Sequence, residues 1–166
     1  MLTEILSRSE CAECRVCCVF DRSDVWEMPL ITPKLAEKLK ADYPEIKLKK
    51  LSENASCQVT DAEFDEESLC TCPLLTEKGC ALGENKPFDC RIWPFRVMKK
   101  GDLLLLTLSP VCESVSSLSV AKVSEFVPEI APKILEEVKR NPEMVKEYIE
   151  GYPILSLLHI SKPPRQ

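Results

Sequence analysis

Histidine is nearly absent from this chain. Of 166 residues only His159, close to the C-terminal end, is one. A Rieske-type centre needs two histidines and cannot be built. A His-based triad would need His159 to reach back across the chain, and no feature of the sequence suggests that; it reads as a structural side chain. Glycine is also scarce. The four glycines, at 79, 83, 101 and 151, are scattered, so there is no Gly-rich nucleotide loop. Aromatic residues make up 6%, and the core is expected to be mostly aliphatic. No apolar stretch approaches the roughly 18 residues that span a bilayer, so no membrane association is expected. Basic excess is missing too. The formal charge is −5 and the pI about 5.1, without the footprint of a nucleic-acid binder. Lys47, Lys49 and Lys50 form one short basic run, read as a solvated face. The segment Met1–Leu6 lacks the basic and long apolar regions of a secretory signal. The expected setting is therefore the cytoplasm, where thiols stay reduced.

Against these absences stand 13 prolines, 45% hydrophobic residues and 10 cysteines. Proline with little glycine suits rigid turns and irregular segments rather than flexible linkers. Ten cysteines in a reducing setting need a role other than disulfides.

Along the chain, residues 1–28 carry the first cysteines and show little regular structure. A helix is predicted from Thr32-Pro33, with Thr32 as cap, Leu35, Ala36 and Leu39 on one face, and Pro44 at its end. Residues 52–90 look irregular and hold five cysteines: 57, 70, 72, 80 and 90. Metal crosslinks would order such a stretch. Ile92–Met98 reads as a strand that Pro94 confines to an edge or a bulge. Lys99-Lys100-Gly101-Asp102 reads as a hairpin turn, and Leu103–Leu108 as a buried strand. The last third reads as helical. Val120, Val123 and Val127 share one face, Pro132 opens a second helix, and Asn141-Pro142 starts a third that carries Val145, Tyr148 and Ile149 and ends at Gly151. The tail from Ser161 to Gln166 is expected to fray.

The cysteines fall into two groups. Cys11-x-x-Cys14-x-x-Cys17-Cys18 makes two successive Cys-x-x-Cys steps, which let three thiolates surround one centre. Cys18, adjacent to Cys17, serves a second centre or another side of the same one. Cys72, Cys80, Cys90 and Cys112 are dispersed. Pro73 fixes the chain direction after Cys72, and Gly79 permits close backbone approach beside Cys80. If the two predicted strands pair, Cys90 and Cys112 arrive together at the open end of the hairpin.

The pattern Cys-x-x-Cys-x-x-Cys-Cys, Cys72-Pro-Leu-Leu, Gly79-Cys80-Ala-Leu, Lys86-Pro-Phe-Asp-Cys90-Arg-Ile-Trp-Pro-Phe95 and Cys112 resembles the YkgJ-type cysteine-cluster family. The resemblance covers about residues 11–112 and implies a zinc- or iron-chelating domain. The same cluster is similar to that of the flagellin lysine N-methylase family, which implies an iron–sulfur cluster. Three positions depart from the pattern. Arg15 stands where the family often has Gly, Lys86 where it usually has Arg, and Leu82-Gly83 where Ile-Tyr is commoner. Cys57 and Cys70 have no counterpart and read as spare or buried thiols.

Eight thiolates, from Cys11, Cys14, Cys17, Cys18, Cys72, Cys80, Cys90 and Cys112, are thus the expected ligands. Such ligands suit iron–sulfur and zinc alike, and could hold two zinc ions, a cluster plus a zinc, or one cluster with spare thiols. The repeated Cys-x-x-Cys step, with Arg15, Arg91 and Arg96 placed to offset cluster charge, points to iron–sulfur, of the 4Fe–4S type, before zinc. No catalytic residue stands out. Asp21, Asp24 and Glu27 beside Trp26 read as a polar loop rather than a substrate-facing edge. The expected protein is one α+β domain over 1–166, with an irregular metal-stapled centre, a short antiparallel hairpin and a helical extension over about 117–158. Its function is a metal-binding module. The alternatives are a cluster-dependent protein-modifying enzyme, for which the methylase similarity points to methyl transfer, and an electron-transfer or redox-sensing module. A protein partner or substrate fits any of these.

Overall fold

The computed structural model describes residues 8–51, 57–59 and 64–158. Among them the fold is mixed α and β, with six helices and small sheets that include an antiparallel hairpin. The N-terminal part contains α1 (Arg8–Cys14), β1 (Val19–Asp21), β2 (Leu30–Ile31), α2 (Pro33–Asp42), β3 (Leu48–Lys50) and β4 (Cys57–Val59). The middle adds β5 (Leu69–Thr71), β6 (Leu75–Thr76), β7 (Gly79–Cys80), α3 (Phe88–Ile92), β8 (Phe95–Lys100) and β9 (Leu103–Leu108). The chain continues through α4 (Glu113–Ser116), α5 (Val120–Ser124), α6 (Val127–Arg140), β10 (Lys146–Glu147) and β11 (Ile154–Leu158).

Local chemistry sets α2 and the hairpin where the sequence places them. Thr32 Oγ1 accepts the Leu35 N–H at 3.3 Å, Pro33 occupies the first turn, and Ala36 and Leu39 are buried. Strands β8 and β9 pair from Phe95–Leu108 to Lys100–Leu103. The two-residue turn between them is Gly101-Asp102, with Gly101 at φ +58°, which a twisted hairpin favours.

The strand begins at Phe95, not Ile92, because Ile92 closes α3. Nor is β8 an edge. The central sheet runs β10-β8-β9-β11, with β10 parallel to β8. Pro94 lies just ahead of the strand, so its missing N–H costs the ladder nothing. Residues Phe95–Met98 and Leu105–Leu108 are all buried, so both faces of the sheet are covered. On one face Phe95, Val97, Leu106 and Leu108 meet Ile130, Ile134 and Val138 of α6.

The C-terminal part departs furthest from the helical expectation. Helix α6 runs through Pro132, which therefore does not open a helix. The ring removes one backbone bond, but the buried stripe Ile130–Ile134–Val138 outweighs it. Val123 is buried as expected, whereas Val120 is exposed. After Asn141 there is no third helix. A 3-10 turn, Pro142–Met144, leads into β10, and Gly151, at φ +103°, turns the chain toward β11. Here the unpaired edges of the hairpin decide the outcome. The Tyr148 N–H bonds the Lys99 carbonyl at 2.8 Å, and β11 pairs antiparallel with β9. Residues 8–28 are also more regular than expected, with α1 and β1 inside them. The 52–90 stretch, where described, is built of short pairs: β3 and β2 flank β4, β1 pairs β5, and β6 pairs β7.

A buried ion cluster lies on the other face of the sheet. Arg96, only 4% exposed, sits between Asp89 (Nη1–Oδ1 3.6 Å) and Glu27 (Nη2–Oε2 3.5 Å). Its Nη2 also donates to the Glu27 carbonyl at 3.1 Å. Lys146 of β10 reaches Asp89 Oδ2 at 3.4 Å and the Met28 carbonyl at 2.9 Å. The Leu30 N–H donates to the same Asp89 oxygen at 3.3 Å. Burial pushes the Lys146 pKa down, and the Asp89 carboxylate opposes that. The cluster ties η-turn residue Glu27, α3, β8 and β10 into one unit. Replacing Asp89 by Ala leaves two buried cations short of their shared anion. Asp89→Ala is expected to lower stability by about 3–5 kcal/mol in urea unfolding. A loss below about 1 kcal/mol would show that the cluster does not hold these segments together.

Candidate metal centre

The first cysteines are placed by a helix end. Cys11 and Cys14 lie one turn apart on α1, which stops at Arg15 in the left-handed region at φ +56°. That conformation explains why glycine suits this position, where the chain carries Arg instead. The Arg15 side chain compensates. Its Nε donates to the Ala12 carbonyl at 2.9 Å and its Nη2 to the Glu77 carbonyl at 3.3 Å. The next residues, Val16–Cys18, form a 3-10 turn. With three residues per turn, neighbouring side chains leave the axis about 120° apart. Cys17 and Cys18 therefore diverge.

Cys18 turns toward the dispersed group. Its carbonyl accepts the Cys72 N–H at 2.7 Å, extending the β1–β5 ladder by one pair. Cys80 pairs with Leu75 in the β6–β7 hairpin, and the Leu75 N–H bonds back to the Cys72 carbonyl at 3.0 Å. Gly79, at φ +95°, admits the close approach expected of it. A Cβ there would lie 3.4 Å from the Ala12 Cβ of α1. Cys90 sits in α3, next to Asp89. Cys17 instead lines a small cleft with Cys14, Trp93 and Cys112. The Ser109 N–H bonds the Pro94 carbonyl at 2.8 Å, so the segments leading to Cys90 and Cys112 leave the hairpin side by side.

Cys14, Cys17, Cys18, Cys70, Cys72, Cys80, Cys90 and Cys112 are thiols, not disulfides. Burial pushes the Cys72 thiol up from the ordinary 9.0 to about 12, while the Leu74 backbone N–H, aimed at its sulfur, pulls the other way. The neighbouring Cys18, Cys80 and Cys70 add repulsion. Burial raises Cys90 strongly. Asp89, Cys18 and Cys72 add to the rise and Arg96 opposes it. Burial also raises Cys112, with Cys14 adding and the Trp93 indole N–H opposing. Thiolates in these places repel one another, and a cation between them would offset that repulsion.

The chemistry of this donor set fits a soft metal or an iron–sulfur cluster. Among the described residues no three Cys, His, Asp or Glu side chains stand as a group that could hold one metal ion. Closure of ligands around a metal is commonly part of binding itself. The Cys11 and Cys57 side chains and His159 lie outside the described residues. Cys70 is buried and packs with Phe20 and Met28.

The basic residues expected to offset cluster charge have other partners. Arg91 pairs with Glu137 of α6 at 3.1 Å, Arg15 holds two carbonyls, and Arg96 is centred in the ion cluster while remaining within electrostatic reach of Cys90. Asp21 caps the turn at Ser23, and Glu27 is buried, so these carboxylates form no substrate-facing edge. Trp26 meets Tyr152 edge-on at 5.7 Å. The Trp93 donor to the Cys112 sulfur carries no sequence signal, because it depends on the folded approach of two segments, whereas the Leu74 N–H reaches Cys72 from two residues along the chain.

No helix among the described residues is long and apolar enough to cross a membrane. Compared with protein-family models, curated proteins and solved structures, the chain finds no match.

In metal-free protein the fold buries the neutral Cys72 thiol. The unfolded chain ionises this group near 9.0, the folded chain near 12. Its stabilising contribution is complete below pH 9 and is lost as pH climbs toward 12. Urea unfolding of metal-stripped protein should show stability falling across that window, and less steeply in Cys72→Ala. An equal fall in both would contradict this assignment.

Proposed function

We propose that this chain is a cysteine-cluster metal-binding protein that holds iron–sulfur, of the 4Fe–4S type, through thiolates. The expected ligands are Cys11, Cys14, Cys17, Cys18, Cys72, Cys80, Cys90 and Cys112, and zinc is the second reading. One observation carries the proposal. The segments that carry Cys18 and Cys72 are bonded backbone to backbone, Cys90 lies within electrostatic reach of both, and Cys14, Cys17 and Cys112 line one cleft, all as free thiols. N–H groups face two of the sulfurs, Cys72 and Cys112, an arrangement that stabilises thiolate character. The resemblance to the YkgJ-type family supports the same reading. Zinc remains second because thiolate ligation suits both metals.

Anaerobically purified protein is expected to be brown and to carry acid-labile sulfide. Cys14→Ser and Cys90→Ser should release metal and lower the unfolding temperature, because metal binding and folding are coupled. Cys57→Ser should do neither. A colourless protein with stoichiometric zinc and no sulfide selects zinc. Protein that takes up neither metal overturns the proposal.

A further inference from the structure

Resting on that reading, we infer that the described thiolates divide between two separate sites, one from Cys18, Cys72, Cys80 and Cys90, the other containing Cys14, Cys17 and Cys112. The dividing line runs between adjacent residues. Cys17 and Cys18 occupy a 3-10 turn, so their side chains diverge by about 120°. Cys17 goes to the cleft that Cys14, Trp93 and Cys112 line, and it packs against the main core that contains Cys112. Cys18 is bonded through its carbonyl to the Cys72 N–H at 2.7 Å.

The surrounding packing separates the sets in the same way. Cys72 and Cys80 both rest on the second apolar cluster, formed by Ile31, Ala36, Leu39, Ile46 and Leu74. The β6–β7 hairpin joins them, since Leu75 bonds back to Cys72 and faces Cys80. Cys90 is within electrostatic reach of Cys18 and Cys72, and Cys112 of Cys14. Helix α1 meets β7 through Ala12, at the close approach to Gly79. Cys14, two residues on, leaves the helix about 200° around from Ala12, on the side of the Trp93–Cys112 cleft.

The two sites have different surroundings. Asp89 and Arg96 act on Cys90, so the first site touches the buried ion cluster. The second adjoins an indole and a cleft open to the surface, with Val16 and Val111 exposed on its rim. A soluble redox partner or metal donor would reach the second more readily than the first.

The test is N-ethylmaleimide footprinting of the anaerobically purified full chain, read by peptide mass spectrometry against metal-stripped protein. In Cys90→Ser, Cys18, Cys72 and Cys80 should become labelled while Cys14, Cys17 and Cys112 stay protected. Cys112→Ser should give the reverse, and each variant should retain about half of the wild-type metal. Labelling of all remaining ligands in either folded variant, with complete metal loss, would mean one shared centre and overturn the inference. If a variant fails to fold, wild-type protein is stripped stepwise with EDTA. Two groups of thiols with the stated membership support the inference; simultaneous exposure or any other grouping overturns it. Wild-type protein that is metal-free and labelled throughout would instead defeat the metal-binding proposal itself.

Discussion

Arg96 imposes the strongest single constraint on this structure. Its guanidinium is buried within the central sheet, where an unpaired charge would cost several kcal/mol. The fold must therefore bring carboxylates to it, and it does so from two distant segments, Glu27 and Asp89. Lys146 then completes a cluster with two positive and two negative side chains. This arrangement fixes more than the charges. Glu27 anchors the segment that follows Cys18, and Asp89 is the residue before Cys90. Apolar packing fills the sheet face on α6, whereas ion pairing and backbone bonds register the cysteine-bearing segments on the other face.

The cysteine chemistry follows from that registration. The segment of Cys18 is bonded to that of Cys72, and Cys14, Cys17 and Cys112 line one cleft. Burial keeps Cys72, Cys90 and Cys112 protonated in the absence of metal, and the neighbouring sulfurs reinforce this. On the proposed function, a metal bound by these thiols would have to displace their protons. The left-handed Arg15 has a matching role at the N-terminal end. It stops α1 after Cys14 and starts the tight turn that sends Cys17 and Cys18 in different directions.

Local rules made α2 and the β8–β9 hairpin legible. Thr32-Pro33 is a strong local helix start, and Gly101-Asp102 joins two six-residue strands. The C-terminal strands were not legible. Val145, Tyr148 and Ile149 satisfy a helical period, but the open edges of the hairpin supply partners that no local pattern reveals. Pro132 misled for the same reason, since the packing of α6 on the sheet outweighs one lost bond. The identities of the candidate ligands could be proposed from cysteine spacing. Their surroundings could not. Arg96 read as a charge facing the cluster, and Asp89 had no role beyond its place in the motif, until the fold placed them together, and the direction of Cys18 depends on a backbone conformation that Arg15 does not advertise.

The central claim is that sulfur from this chain surrounds a metal. Metal-edge X-ray absorption of the anaerobically purified protein tests it most directly, because it reports the nearest neighbours of the metal without altering a residue. The expected result is an all-sulfur environment at about 2.3 Å, with iron–iron scattering if the centre is a cluster. A shell dominated by nitrogen or oxygen would contradict the account.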